Sequence, residues 1–207
     1  MVRSVIEFLR LVSTPGPSTE LTVFVRPSGS FSKYQNGVVF MRKSSTRDLT
    51  LAAIVAALYA ALTLLFPGQS YGYTQLRVSE ALTVLPFLFP AAAPGLAVGC
   101  LIANLLSPYG PIDIICGTFA TALAAFLTMK MPNKWLAPLP PVLCNGIFVG
   151  GMLAWYQAGF GPNFWPMFAI SGPGVALGEI ITCYILGMLL LNFLPKINYF
   201  DRLRIRK

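Results

Sequence analysis

The stretch LTLAAIVAALYAALTLLF, residues 49–66, runs for 18 residues without a charged side chain. A helix that crosses the hydrocarbon core of a bilayer needs about 20 mostly apolar residues. The apolar character continues to residue 195, because residues 49–195 hold only six of the 22 charges in the 207-residue chain. A soluble domain carries roughly a quarter charged residues. The sequence therefore predicts an all-α membrane protein.

Clusters of proline and glycine divide this segment into six candidate spans. The predicted boundaries are 49–66, 77–89, 91–106, 111–129, 135–157 and 166–194. The second and third spans are short, and one interrupted hairpin shielded by the other helices is the alternative for them. We expect residues 41–195 to form the membrane domain and residues 196–207 a basic cytoplasmic tail. Residues 1–40 contain no run long enough to span, and we expect them to be disordered or non-native upstream sequence.

The basic residues predict the orientation of the bundle. Residues 1–48 and residues 196–207 each carry a net charge of +4, whereas residues 49–195 are neutral overall. Lysine and arginine near the ends of spans favour the cytoplasmic side. Lys130 and Lys134, between spans four and five, fall on the same side as both termini. We therefore expect a six-transmembrane-helix bundle in the cell membrane, with both termini cytoplasmic.

The composition excludes several classes of function. The chain has no His, which removes Ser-His and Cys-His catalytic pairs and His-ligated metals. It has no GxxxxGK[ST] loop for a nucleotide triphosphate, and its four cysteines stand singly in apolar runs, where packing is the ordinary role. We expect no enzyme activity, no cofactor and no metal. The positive charge flanks the spans, so membrane orientation explains it better than nucleic acid does.

Five polar residues within the spans are candidates for a binding site, because ionisable groups inside a membrane usually face a bundle interior or a water-filled cavity. They are Arg77, Glu80, Asn104, Asp113 and Glu179. The predicted topology places the first four in the outer half of the bundle and Glu179 near the midplane. Three acids against one base give a net charge of −2, which favours a cationic or donor-rich ligand.

Several of these residues have a purely structural alternative. Arg77 and Glu80 are one turn apart and can form an ion pair within span two. Asp113 can stabilise the free N–H groups at the start of span four. Glu179 can bond a backbone group that is freed by a break at residues 172–174.

Span one carries two strips of small residues that repeat every four positions. The strips are Ala52, Ala56 and Ala60, and Ala53, Ala57 and Ala61. Such strips let another helix approach closely, and that helix belongs either to the same bundle or to a separate membrane protein. We take Ala52, Ala56 and Ala60 as the candidate docking face for a partner.

The segment QLRVSEALTVLPF, residues 75–87, resembles the signature of the QueT family of queuosine-precursor transporters. PGL at 94–96, GCLIANLL at 99–106 and Asp113 followed by GTFAT at 117–121 are similar to the same family in the same order. The likeness runs from about residue 41 to residue 195.

This resemblance implies a substrate-binding (S) component of an energy-coupling-factor transporter, a class of ABC importers. Such components are six-helix bundles that capture a micronutrient outside the cell. They associate with a transmembrane coupling subunit, which the resemblance places on the strip of Ala52, Ala56 and Ala60, and with two ATPase subunits. The implied ligand is a 7-deazaguanine, either preQ1 (7-aminomethyl-7-deazaguanine) or its nitrile relative preQ0.

The chemistry of this ligand agrees with the candidate residues. A guanine-like edge offers two parallel donors to one carboxylate, and the cationic aminomethyl group requires a second carboxylate. We expect Glu80 and Asp113 to be the two acids, with Glu179 in reserve, and the amide of Asn104 to serve the ligand carbonyl.

Two other functions remain open. One is a self-sufficient, proton-coupled secondary carrier with an acid as the proton relay, although residues 49–106 and 111–194 show no convincing repeat. The other is an S component for a different small heterocyclic vitamin.

Overall fold

The computed structural model describes residues 46–71 and 75–196. In these residues the chain forms helices and turns but no strand. The six main helices, α1 to α6 in chain order, are Thr46–Leu65, Val78–Phe87, Ala92–Asn104, Pro111–Thr128, Leu139–Ala158 and Phe164–Lys196. The predicted all-α fold is confirmed. The expectations for residues 1–40 and for the tail beyond Lys196 lie outside the described residues.

Four of these helices, α1, α4, α5 and α6, are long and apolar enough to cross a membrane. The other two, α2 and α3, have ten and 13 residues. At about 2.0 Å per residue for the 3₁₀ helix α2 and about 1.5 Å for α3, each rises about 20 Å. The hydrocarbon core measures about 30 Å. The second and third helices are therefore short, as the sequence predicts, and the number of crossings stays a prediction.

Proline and glycine set the ends of the helices. Pro111 opens α4, where its missing N–H is not needed, and Gly110 before it has a φ of +70°. Helix α5 ends where Gly159 adopts a φ of +62°. The largest difference from the predicted boundaries is at the start of α5, which begins at Leu139 rather than residue 135, because residues 132–138 form a proline-containing turn segment.

Helix α2 is buried on all sides and has 3₁₀ geometry, which the sequence pattern did not predict. Every residue from 79 to 86 is buried, and a helix without an exposed face belongs inside a bundle. It packs against α1, α3, α4 and α6. Ten residues is long for a 3₁₀ helix, and Pro86 near its end lacks the N–H that a regular α-helix would use. This central position carries Glu80 into the interior.

Glycines of α3 let it approach α1 closely. A Cβ atom at Gly95 would overlap the backbone oxygen of Ala52, and a Cβ at Gly99 would lie 2.7 Å from that of Ala56. Ala56 and Ala60 are buried. The neighbouring strip on α1, which consists of Ala53, Ala57 and Ala61, is exposed. The first strip therefore packs within the bundle, which is one of the two alternatives that the sequence leaves open.

A second close approach joins α5 to α6. A Cβ atom at Gly150 would lie 2.5 Å from the Cα of Gly172, and one at Gly146 would lie 3.2 Å from the Cβ of Ala176. Ser171 Oγ also donates a hydrogen bond of 2.8 Å to the backbone oxygen of Gly150. Small residues at these positions permit tight helix packing in a membrane. They bring the middle of α5 against the first half of α6.

Candidate functional site

Buried polar residues form two neighbouring clusters between the helices. The arginine cluster comprises Tyr71, Arg77, Asn104 and Asp113, together with the half-buried Ser107. The glutamate cluster comprises Tyr59, Glu80, Thr121, Asn145, Glu179 and Cys183. The five site residues predicted from the sequence all fall in these clusters, and none is more than 3% exposed.

In the arginine cluster, Asp113 is held on one oxygen by two donors. Arg77 Nη2 lies 3.4 Å from Asp113 Oδ2, and Ser107 Oγ donates to the same oxygen at 2.5 Å. Arg77 Nε donates to the backbone oxygen of Ser70 at 2.9 Å, and its guanidinium lies 5.3 Å from the ring centre of Tyr71. The base and the acid therefore neutralise each other and tie the start of α2 to the start of α4.

Tyr71 anchors the segment before α2 to α3. Its hydroxyl donates a hydrogen bond of 2.7 Å to the backbone oxygen of Ala103. Burial raises the pKa of the Tyr71 phenol, which keeps the hydroxyl protonated as a donor. Its own backbone oxygen accepts from the hydroxyl of Tyr109 at 2.7 Å. Tyr71 is therefore held both by the end of α3 and by Tyr109, just before α4.

Asn104 ends α3 and lies against the start of α4. Its amide nitrogen donates to the backbone oxygen of Asp113 at 3.0 Å and to Cys100 Sγ at 3.4 Å. A Cβ atom at Gly117 would lie 2.6 Å from Asn104 Nδ2 and 2.8 Å from Asp113 Oδ1. Glycine at this position of α4 therefore leaves the space that the amide and the carboxylate occupy.

In the glutamate cluster, two carboxylates are surrounded by neutral groups. The hydroxyl of Tyr59 donates to Glu80 Oε1. Asn145 Nδ2 donates to Glu179 Oε1 at 2.8 Å, and the same amide also interacts with Glu80. Cys183 Sγ lies 3.4 Å from Glu179 Oε2 and 3.4 Å from the backbone oxygen of Glu80. The two carboxylates thus share neighbours, and none of these neighbours is a base.

The two clusters are joined through the side chains of Cys100 and Thr121. Thr121 Oγ1 lies 3.3 Å from Cys100 Sγ and 3.4 Å from Glu80 Oε1, and Cys100 also contacts Asn104. Asp113 and Thr121 are eight residues apart on α4, which corresponds to about 12 Å along the helix axis. The polar groups therefore form a continuous path from the start of α4 into the bundle.

Two of the structural alternatives are wrong. Arg77 has an extended backbone, with φ −87° and ψ 107°, so it lies before the helix and pairs with Asp113 rather than with Glu80. The carboxylate of Glu179 contacts the side chains of Asn145 and Cys183 rather than a backbone group freed by a helix break.

Several buried polar atoms of the described residues have no hydrogen-bond partner. Four of them are acceptor oxygens within the clusters: Glu80 Oε2, Asn104 Oδ1, Asp113 Oδ1 and Asn145 Oδ1. Buried polar atoms are nearly always paired, and an unpaired one costs about 1–3 kcal/mol. These four oxygens are suited to a ligand that supplies hydrogen-bond donors.

The part of the chain that contains this buried polar interior matches a known protein family. The family model described as QueT transporter matches residues 49–196, which include both clusters and nearly all of the six helices. The chain belongs to the QueT transporter family. The similarity inferred from residues 75–87 is thereby confirmed. The family is one of transporters rather than enzymes, and this QueT family member is a multi-pass membrane protein.

A curated relative supports the same assignment to the QueT family. The protein described as "Queuosine precursor transporter QueT" from Lactococcus lactis subsp. cremoris (strain MG1363) is 43% identical to the chain over 98 residues. The matched region covers 46% of this chain and 57% of the relative, so the chain spans little more than half the length of the curated relative it matches. No solved structure matches the chain.

The sequence of this QueT family member does not predict the neutral members of the glutamate cluster, which are Tyr59, Thr121, Asn145 and Cys183. Uncharged polar residues are common in membrane helices, so they carry little signal by themselves. One signal points to Asn145, because it directly precedes Gly146, which forms with Gly150 a small-xxx-small pair at which helices pack closely. The sequence predicts that Cys183 is a packing residue, and the structure adds its contact with Glu179.

The arrangement presents groups that can accept hydrogen bonds and compensate positive charge. Across residues 46–71 and 75–196, no group of three or more Cys, Asp or Glu side chains could hold a metal. Arg77 is the only buried base in this part of the QueT family member, and Asp113 neutralises it. Among the described residues, the hydrogen-bond partners of Glu80 and Glu179 include no base.

Proposed function

We propose that the protein is the substrate-capture subunit of an energy-coupling-factor importer for a queuosine precursor, preQ1 or preQ0. The observation that carries the proposal is the set of four buried acceptor oxygens without a partner, which matches the donor-rich edge of a 7-deazaguanine. Membership of the QueT transporter family and the printed name of the curated relative support the substrate class.

The proposed binding residues are Glu80, Asp113, Asn104, Arg77 and Glu179. A guanine-like edge carries an N1–H and an exocyclic amine, two parallel donors that a carboxylate accepts together. The aminomethyl group of preQ1 carries a positive charge at neutral pH, and a buried carboxylate compensates it. Asn145 is added to the proposed site, because its amide lies at both glutamates.

Calorimetric titration of the purified protein with preQ1, in the absence of ATP, tests the proposal. We expect binding by this subunit alone. Glu80→Gln is expected to weaken binding by about 10- to 100-fold, because a hydrogen bond to a charged group contributes about 1.5–3 kcal/mol. Asp48→Asn is the matched control, since it neutralises an acid at the start of α1, away from both clusters. A protein that binds a different vitamin from a panel and neither deazaguanine would contradict the substrate.

We propose that all six helices cross the membrane and that both termini are cytoplasmic. The distribution of basic residues supports this topology, and the turn segments on either side of α2 and α3 extend their reach beyond about 20 Å each. Reporter fusions to the two termini and to residue 133, between α4 and α5, should all report the cytoplasmic side. A reporter at residue 161 should report the outside, and the opposite result would exclude the six-span topology.

We propose that a transmembrane coupling subunit docks on α1 and that two ATPase subunits drive uptake. The exposed strip of Ala53, Ala57 and Ala61 is better suited to the contact than Ala52, Ala56 and Ala60, which pack against α3. Ala57→Leu should abolish uptake by the assembled transporter and leave preQ1 binding unchanged. Ala169→Leu, at an exposed position of α6, is the control and should leave both unchanged.

A proton-coupled secondary carrier is the second candidate, and the buried pair Glu80 and Glu179 is the observation that favours it, because buried acids serve as proton relays in carriers. Liposomes that contain this chain alone distinguish the two functions. Uptake of preQ1 driven by a pH gradient would support the carrier, whereas a requirement for partner subunits and ATP would support the importer.

A further inference from the structure

The three buried acids, Glu80, Asp113 and Glu179, have different surroundings. Asp113 Oδ2 is occupied by Arg77 at 3.4 Å and by Ser107 at 2.5 Å. The positive charge that a ligand would bring to Asp113 is therefore already present in the protein. Only Asp113 Oδ1 remains without a partner, and one free oxygen suits a neutral N–H donor.

Among residues 46–71 and 75–196, Glu80 and Glu179 have no such counterion in hydrogen-bonding contact. Their side-chain partners are the hydroxyl groups of Tyr59 and Thr121, the amide of Asn145 and the thiol of Cys183. Two carboxylates that share a buried site repel each other unless a proton or a cation lies between them. Arg77 acts on them only at longer range. Among the described residues, the buried acids without a paired base are therefore these two glutamates.

Asn145 completes a binding arrangement between the two acids. Its amide nitrogen serves the carboxylates, so its Oδ1 atom, on the same planar group, lies beside them without a partner. Glu80 Oε2 is also unpartnered, and both residues are at most 3% exposed. An ammonium group has three N–H donors. Glu80 Oε2, Asn145 Oδ1 and a carboxylate oxygen of Glu179 can accept one each.

The backbone at this position is also irregular. The α-helical hydrogen bonding of α5 changes to π-helical at Asn145–Val149, and that of α6 changes at Ile180–Gly187, directly after Glu179. Short π-helical segments occur frequently at functional sites. One begins at Asn145 and the other directly follows Glu179, and the side chains of these two residues meet. The close approach of Gly150 to Gly172 packs the same two helices together.

We propose that Glu80, Asn145 and Glu179 form the subsite for the cationic aminomethyl end of the ligand. In this arrangement Asp113 is paired structurally with Arg77 and contributes to the ring end, together with Asn104. The inference rests on the proposed function, and it assigns the ends of the ligand to separate clusters. It also makes Glu179 a principal acid rather than a reserve, and it makes Asn145 a specificity-determining residue.

A comparison of preQ1 with preQ0 tests the subsite, because the nitrile of preQ0 is uncharged and the two ring systems are the same. Affinities for both ligands are measured by calorimetric titration of the full chain. Glu179→Gln and Glu80→Gln should each lower the ratio of preQ1 affinity to preQ0 affinity by about tenfold or more. Asp113→Asn should weaken both ligands by a similar factor and leave the ratio within about twofold.

Folding is checked by size-exclusion chromatography and by retained binding of preQ0. Should the glutamate variants fail to fold, Asn145→Ala removes the neutral acceptor Oδ1 together with the amide that donates to Glu179, and it should also lower the ratio. An unchanged ratio in Glu179→Gln and Asn145→Ala would overturn the subsite, as would a ratio that falls in Asp113→Asn. Wild-type protein that binds neither ligand would instead refute the proposed function.

Discussion

Replacement of Asp113 by Asn leaves the buried Arg77 without its counterion. At 3.4 Å and an effective dielectric constant of about 20, two opposite charges attract each other by about 5 kcal/mol. Desolvation offsets part of this attraction, and loss of one partner from a buried pair costs about 3–5 kcal/mol. Arg77 keeps its contacts with the backbone of Ser70 and the ring of Tyr71. We therefore expect Asp113→Asn to lower the free energy of unfolding by about 3 kcal/mol.

Thermal unfolding in detergent micelles measures this effect. In a chain of this size 1 kcal/mol shifts the midpoint by about 2–4 °C, so the expected decrease is about 6–12 °C. Ser107→Ala, which removes only the neutral partner of the same oxygen, should cost about 1 kcal/mol. The double variant Arg77→Gln/Asp113→Asn should lose less than the sum of its single variants. If the losses add to within about 0.5 kcal/mol, the two residues are not coupled and the argument fails.

Two further predictions concern glycines. Gly117→Ala places a Cβ atom 2.6 Å from Asn104 Nδ2 and should weaken preQ1 binding by about tenfold. Gly151→Ala is the control, because its Cβ meets only a ring carbon at 3.8 Å. Equal affinities of the two variants for preQ1 would contradict the role of Gly117. Gly95→Ala forces α3 away from α1 and should lower the free energy of unfolding by about 1–3 kcal/mol. Gly68→Ala is the control, because its Cβ meets nothing within 4 Å, and it should leave the unfolding midpoint unchanged. Equal midpoints of Gly95→Ala and Gly68→Ala would show that the close approach of α3 to α1 does not contribute to stability.

The helices and the burial of the charged residues could be predicted from the sequence. The thickness of a bilayer sets the length of a span, and a charge in lipid is costly enough to require an interior position. The pairing of the charges could not be predicted in the same way. Sequence spacing favours Arg77 with Glu80, whereas the extended backbone at Arg77 turns it towards Asp113, 36 residues away. A contact between distant residues depends on helix packing, which spacing alone does not give.

The neutral partners were unpredictable for a related reason. Tyr59 is one of many uncharged residues in an apolar helix, and its contact with Glu80 arises because α2 lies buried beside α1. That position follows from the 3₁₀ geometry and complete burial of α2, and neither has a recognisable pattern in residues 78–87. The contact of Asn145 with Glu179 follows from the close approach at Gly150, which the small-residue spacing does indicate.

Replacement of a carboxylate by an amide should have different effects on stability at Asp113 and at Glu179. Asp113→Asn breaks a neutral pair and should lower the unfolding midpoint of the ligand-free protein. Glu179→Gln removes one of two carboxylates that repel each other, while its side-chain oxygen can still accept from Asn145. The ligand-free midpoint should therefore stay the same or rise, although preQ1 affinity falls. Binding sites commonly carry such a conflict between stability and function. Thermal unfolding of both variants without ligand measures the contrast, and a similar decrease in both would show that Glu179 is a structural residue like Asp113.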